Sequence, residues 1–234
     1  MDVSIITPSI RKEGLEIVRK ALVNQTFENY EWIIGSPFDP IICSNWVRDD
    51  FEGGFWSLNR IYNKMIKKAK GELIISWQDY TYAKPDALSR FWNCYLQEPN
   101  TLVGGVGNKY KDDTWSAKTW QDPRQRMDQG SYYECYPWDV EANFCSIPKK
   151  AIYDVGGFDE KMDFEGFGFD ARGVFERIDM LDYKFKLDQA NESFSLEHDR
   201  PKGWDKHNMI DKWTDYKKEN VDSKRYPILK YLHG

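Results

Sequence analysis

The sequence predicts a single α/β domain with a mostly parallel central sheet and helices on both faces. Three observations predict it. Over the first hundred residues, short apolar runs of strand length alternate with stretches of helical periodicity, the pattern of consecutive βα units. The chain has 234 residues, enough for one large domain with a sizeable core. Aromatic residues make up 16% of it, including 10 Trp, which excludes a disordered polymer.

The elements follow in order. Val3 to Ile6 reads as a buried strand broken by Pro8, and Leu15, Val18 and Leu22 then recur at helical spacing. Tyr30 to Ile34 is a second strand, closed by Gly35-Ser36-Pro37. Leu58, Ile61, Tyr62, Met65 and Ala69 form one helix stripe, with Gly71 as an expected left-handed cap and Lys64, Lys67, Lys68 and Lys70 at the negative end. Leu73 to Trp77 is a buried strand, followed by a helix whose first residue is expected to be Pro85. A short strand at 102–106 comes next. After a long irregular stretch, strands are expected at 143–147, 184–187 and 193–197. Pro148 opens a short helix, Gly156-Gly-Phe-Asp-Glu160 is a turn, and a further helix covers about 170–181.

Charge and cysteine usage narrow the setting. The formal net charge is −5, which argues against a nucleic-acid partner without excluding one. Residues 199–234 hold nine Lys/Arg against six Asp/Glu, a net of +3, so the remainder carries −8. That tail reads first as a solvated basic helical end, and second as a clamp on phosphates or an anionic surface. No apolar stretch is long enough for a membrane-spanning helix, and Met1 to Pro8 does not read as a secretory signal. Cys43, Cys94, Cys135 and Cys145 are scattered, with no Cys-x-x-Cys pair. They read as reduced thiols of a cytoplasmic protein, with a peripheral position at the inner membrane face left open.

Two features point to chemistry. Asp79 ends the 73–77 strand at the carboxyl edge of the sheet, where open α/β sheets bind ligands. A lone acid there holds a metal or a ligand hydroxyl. Residues 108–142 are polar and aperiodic yet carry Tyr110, Trp115, Trp120, Tyr132, Tyr133, Tyr136 and Trp138. Such a segment is either a functional loop, whose aromatic faces stack on sugars or bases, or a loop packing its own rings.

The order of motifs resembles the family-two glycosyltransferases of the GT-A fold over residues 2–200. Val3-Ser-Ile-Ile-Thr-Pro-Ser9 looks like the family's opening strand and turn. Ala21-Leu-Val-Asn-Gln-Thr-Phe-Glu-Asn-Tyr-Glu31 is close to its L-x-N-Q-T-Y-x-N-x-E segment. Asn63 through Glu72, Pro85-Asp-Ala-Leu88, Gly156-Gly-Phe-Asp-Glu160 and Asp170 to Tyr183 follow four more motifs in order. The resemblance implies a nucleotide-binding half at about 1–107, an aromatic acceptor loop at 108–142, a catalytic half at 143–200 and a basic tail at 201–234. It implies transfer of a sugar from a nucleotide-sugar to an acceptor hydroxyl, a glycan by default, with inversion through one carboxylate base.

Site residues carry over position by position. Pro8, Ser9 and Ile10 line the base pocket. Ser36 and Asp39 stand where the family reads the nucleobase, and Asn63 is placed near the diphosphate. The family's Asp-x-Asp aligns with Gln78-Asp79-Tyr80, so only the middle carboxylate remains. A divalent cation, Mn or Mg, is expected on Asp79 and His198, although one carboxylate holds such an ion weakly. Without metal, Asp79 reads as a ligand for ribose or sugar hydroxyls. The catalytic acidic pair aligns with Asp170-Ala171, making Asp170 the expected base. A plain helix N-cap is its structural alternative, and Glu165 then Asp163 are the next candidates for the base.

Two other functions stay open. A nucleotidyltransferase shares this kind of sheet, but Ser9-Ile-Arg-Lys12 has the charge of a phosphate loop without its glycines. A degenerate, non-catalytic member that binds a sugar or a partner protein is consistent with the lost carboxylates.

Overall fold

The computed structural model describes residues 1–43, 45–50, 57–126, 130–164, 171–197 and 229–233. The sheet is built from β1 (Val3–Pro8), β2 (Tyr30–Ser36), β3 (Trp46–Arg48), β4 (Leu73–Trp77), β5 (Thr81–Ala83), β6 (Thr101–Tyr110), β7 (Lys118–Trp120), β8 (Tyr132–Glu134), β9 (Phe144–Pro148) and β10 (Lys184–Leu196). The helices are α1 (Lys12–Leu22), α2 (Leu58–Lys68), α3 (Ala87–Gln97), α4 (Lys149–Asp154), α5 (Lys161–Phe164) and α6 (Ala171–Asp179), with a 3-10 turn at Pro137–Asp139.

The strand order is β3-β2-β1-β4-β9-β6-β10-β5, with β7 on β6 and β8 on β10. β3, β2, β1 and β4 are mutually parallel; β9 runs against both β4 and β6; β10 is parallel to β6. Six of the ten strands therefore point the same way, and the reversed ones are β9 and the short β5, β7 and β8. This is the expected mostly parallel sheet.

Period-two alternation feeds a core on each face. Val3, Ile5, Leu73, Ile75 and Trp77 pack with the apolar stripes of α1 and α3. Ile6, Ile33 and Ile74 face the other way, toward Tyr62 and Met65 of α2 and residues of α4 and α6. Burial on both faces is why these strands read as continuous apolar runs.

Several boundaries differ from expectation. The 184–187 and 193–197 strands are one, β10, whose pairing with β6 shifts register between Asp188 and Glu192. The polar residues at this irregularity masked the continuity. β6 runs to Tyr110, into the stretch the sequence predicts to be irregular. Pro85 precedes α3 by two residues, because Asp86 is the N-cap. Gly71 is not a left-handed cap: a Cβ there would lie 2.5 Å from the Ser4 backbone nitrogen, so glycine is required by the close approach of β1. Gly156 (φ 77°) and Gly157 (φ 96°) do form the expected turn, in backbone that side chains rarely adopt.

Of the expected basic tail, 229–233 is described, and it packs on the domain rather than standing in solvent. Leu232 is buried in the core, and Leu229 N–H donates to the Val155 carbonyl at 3.2 Å. Among the described residues, no helix is long and apolar enough to cross a membrane. All four cysteines are free thiols.

Candidate active site at the carboxyl rim of the sheet

Three parallel strands deliver their C-terminal ends to one rim. β1 stops at Pro8, beside Gly35 of β2, and Ser9 N–H continues the ladder to the Gly35 carbonyl at 2.8 Å. β4 stops at Trp77, and its next residues are Gln78 and Asp79. Ser9 and Asp79 are thereby neighbours although 70 residues apart, and the Ser9 hydroxyl donates to Asp79 Oδ2 at 2.6 Å.

A cation completes the pair. Arg11 Nη2 lies 3.1 Å from Asp79 Oδ1, and Arg11 Nε lies 3.4 Å from Oδ2. Such a forked contact is the stronger, geometrically specific form of ion pair. The Tyr80 ring centre lies 5.0 Å from the guanidinium carbon, within cation–π range. Tyr80 is left-handed (φ 59°), and its N–H donates to the Gly14 carbonyl at 3.1 Å. The bend after Asp79 is thus fixed against the first turn of α1. Asp79 is 7% exposed while the Arg11 side chain is 25% exposed, so the carboxylate is the inner partner.

The residues expected to contact the base lie at the ends of β1 and β2. Pro8 and Ser9 are buried and Ile10 is exposed. The buried Ser36 hydroxyl donates to the Phe38 carbonyl, and exposed Asp39 accepts the Ile41 N–H at 2.9 Å. Lys12 Nζ stands 5.3 Å from the Phe38 ring centre, bringing the start of α1 to the loop after β2.

Asn63 is a correction. It is 1% exposed and its amide is bonded to the Phe158 backbone and Glu160, so it is not open to a diphosphate. Asn59, one turn earlier, is also buried and donates to Asp163 at 2.9 Å. Both asparagines share one face of α2, but that face is pinned to the 156–163 segment. Asp163 accepts the Asn59 and Arg60 backbone N–H groups and so caps α2; burial pushes its carboxyl up to about 6 against those hydrogen bonds. That geometry makes it a cap, not the third candidate base.

Among the described residues, those around Asp79 do not by themselves fit a divalent ion. A divalent ion at a phosphate site takes about six oxygen ligands, one or two of them from protein carboxylates free to coordinate it and the rest from phosphates and waters. Here the flanking residues are Gln78 and Tyr80, and both oxygens of Asp79 are engaged by Arg11 and Ser9. Among the described residues, no group of three or more His, Cys, Asp or Glu is placed to hold a metal. His198, Glu165 and Asp170 lie outside the described residues.

Next to this rim opens a cavity of about 380 Å³. Gln78, Trp138, Glu141, Asn143, Ala171 and Arg172 are among the residues that line it. Gln78 N–H donates to the Asn143 carbonyl at 2.9 Å, tying β4 to the segment before β9. Trp138 is 54% exposed and stacks on Tyr136, ring centres 4.5 Å apart and 11° from parallel. The aromatic stretch thus holds two populations. Tyr110 and Trp115 pack with Tyr82 and Phe194, while Tyr136 and Trp138 present open faces. Sequence reading missed Arg11 as a partner of Asp79 and Trp138 as a cavity wall. The available signal for Arg11 was a cation three residues past a strand end.

No family model matches the chain, and no curated protein matches it by sequence. Solved structures do match in fold. S. aureus TarS (residues 1–349) superposes with a TM-score of 0.63 at 11% identity, over 84% of this chain and 60% of that one. The same protein in complex with UDP-GlcNAc gives a TM-score of 0.63 at 12% identity, over 86% and 60%. GalNAc-T7 with UDP, GalNAc and Mn2+ gives a TM-score of 0.64 at 11% identity, over 87% and 45%. These are glycosyltransferases of GT-A type, and the likeness establishes the GT-A fold here. The chain accounts for about half of the length of these structures.

Proposed function

We propose that this chain is a glycosyltransferase that moves a sugar from a nucleotide-sugar to an acceptor hydroxyl with inversion. One observation carries the reading. Gln78, which precedes Asp79, lines the same cavity as Ala171 and Arg172, which follow Asp170. A cavity bordering the rim beside Asp79 and edged by the start of α6 is what a transfer between two bound substrates requires.

In this reading the nucleotide lies over Pro8, Ser9 and Ile10, with Ser36 and Asp39 beside the base and Gln78 and Asp79 below the donor. The acceptor occupies the cavity, its ring against Trp138. Asp170 takes the acceptor proton; the freed oxygen attacks the anomeric carbon; the nucleoside diphosphate departs with the bonding electrons. Glu165 is the next candidate for the base. The free thiols support a cytoplasmic setting, including one at the inner membrane face.

The experiment is incubation with a panel of nucleotide-sugars, following slow hydrolysis, with Asp170→Asn alongside wild type. Hydrolysis of one donor by wild type and its loss in the variant, with donor binding retained, is the expected result. Binding without turnover in wild type favours a non-catalytic sugar-binding role, consistent with the missing carboxylates at 78 and 80. Unchanged activity in Asp170→Asn moves the base to Glu165.

A further inference from the structure

We propose that Arg11 supplies the positive charge for the donor's diphosphate, and that Asp79 holds this guanidinium at the rim in place of a divalent ion. The proposal rests on the donor-site reading of the same rim.

A nucleoside diphosphate leaves with its charge concentrated on the phosphate oxygens, and a fixed cation there stabilises the transition state. Among the described residues the rim has a single carboxylate to offer a metal, since Gln78 and Tyr80 flank Asp79. What the structure puts on Asp79 instead is Arg11, at 3.1 Å from Oδ1 and 3.4 Å from Oδ2. A guanidinium carries a permanent charge and five N–H donors in a planar fork that matches phosphate geometry.

Three contacts preorganise it. Asp79 holds one edge, the Tyr80 ring lies 5.0 Å away, and the Arg11 backbone N–H donates to Ser9 Oγ at 3.0 Å. Ser9 in turn donates to Asp79, so anchor and loop are fixed as one unit. The carboxylate is the buried member and the cation the more exposed, which is the order needed for the cation to meet an incoming anion. Arg11 also stands next to Lys12, whose ammonium reaches the loop after β2. Asp79 is then a positioning residue for Arg11 rather than a metal ligand.

The test is binding of UDP and GDP to the intact chain by calorimetry, in EDTA and in excess Mn2+, for wild type, Arg11→Gln and Arg11→Lys. Expected is a wild-type Kd that is the same in EDTA and Mn2+, a loss of about tenfold or more in Arg11→Gln, and partial recovery in Arg11→Lys. Wild-type binding that needs Mn2+ overturns the proposal and leaves the glycosyltransferase reading standing, and that arm requires no variant. Equal affinity of wild type and Arg11→Gln overturns it as well. Failure of either nucleotide to bind in either condition, with no other nucleoside diphosphate binding, removes both readings together.

Discussion

The side-chain amide of Asn63 and the backbone of Phe158 form two reciprocal hydrogen bonds, each 2.9 Å long, across 95 residues of sequence. Asn63 sits on α2 and Phe158 follows the Gly156-Gly157 turn, so the pair fastens the parallel half of the sheet to the second half. Asn63 is 1% exposed, and its removal leaves a buried donor and acceptor without partners. Asn63→Ala is expected to cost about 2–3 kcal/mol, read as a lower midpoint in urea unfolding. Nucleoside diphosphate affinity of the folded variant should equal wild type. A selective loss of nucleotide affinity at unchanged stability would return Asn63 to the diphosphate.

Gly14 is required by proximity. A Cβ there would lie 2.4 Å from the Tyr80 ring and 2.9 Å from Asp79 Cβ. Gly14→Ala is expected to push Tyr80 and Asp79 outward, at about 1–3 kcal/mol of stability. Because Asp79 carries Arg11, nucleotide affinity should fall with it. Thermal melting and calorimetry on the same sample check both effects.

Asp163 gives a pH signature. Its folded-state carboxyl is raised to about 6 by burial, above the ordinary value of 3.8. The folded chain therefore holds this proton more tightly than the unfolded chain. The resulting stabilisation is present at low pH and is lost as pH rises from about 4 through 6. Asp163→Asn should remove that slope from a plot of melting temperature against pH while keeping a cap for α2. An unchanged slope would assign the titration to another group.

Arg90 and Asp188 form a forked ion pair, with both contacts at 2.7 Å and the Asp188 side chain 2% exposed. It sits where β10 shifts register against β6. Arg90→Ala leaves a buried carboxylate unpaired and should cost about 3–5 kcal/mol. Arg90→Met with Asp188→Leu should cost less than the single change, because no buried charge is then left alone. Denaturant unfolding of the three proteins distinguishes these outcomes.

Much of the fold was legible because both sheet faces are buried. β1, β2, β4 and β9 read as apolar runs, and the stripes of α1, α2 and α3 repeat at helical spacing. The three-residue strands β3, β5, β7 and β8 were not legible, since three residues carry no measurable period. In the candidate site, Asp79 was legible as the lone acid ending a buried strand. Asn63 was misplaced because spacing alone does not say which side of α2 meets the 156–160 turn.

The sequence by itself determined the alternation of strands and helices, the Gly156-Gly157 turn and the placement of Asp79 at the sheet's carboxyl rim. These follow from local periodicity and from backbone conformations that only certain residues adopt. Tertiary structure decided the rest: Arg11 on Asp79, Asn63 on Phe158, and Trp138 lining the same cavity as Gln78. Each joins segments whose separation in the chain encodes nothing about their distance in space, and strand order and helix packing alone bring them together.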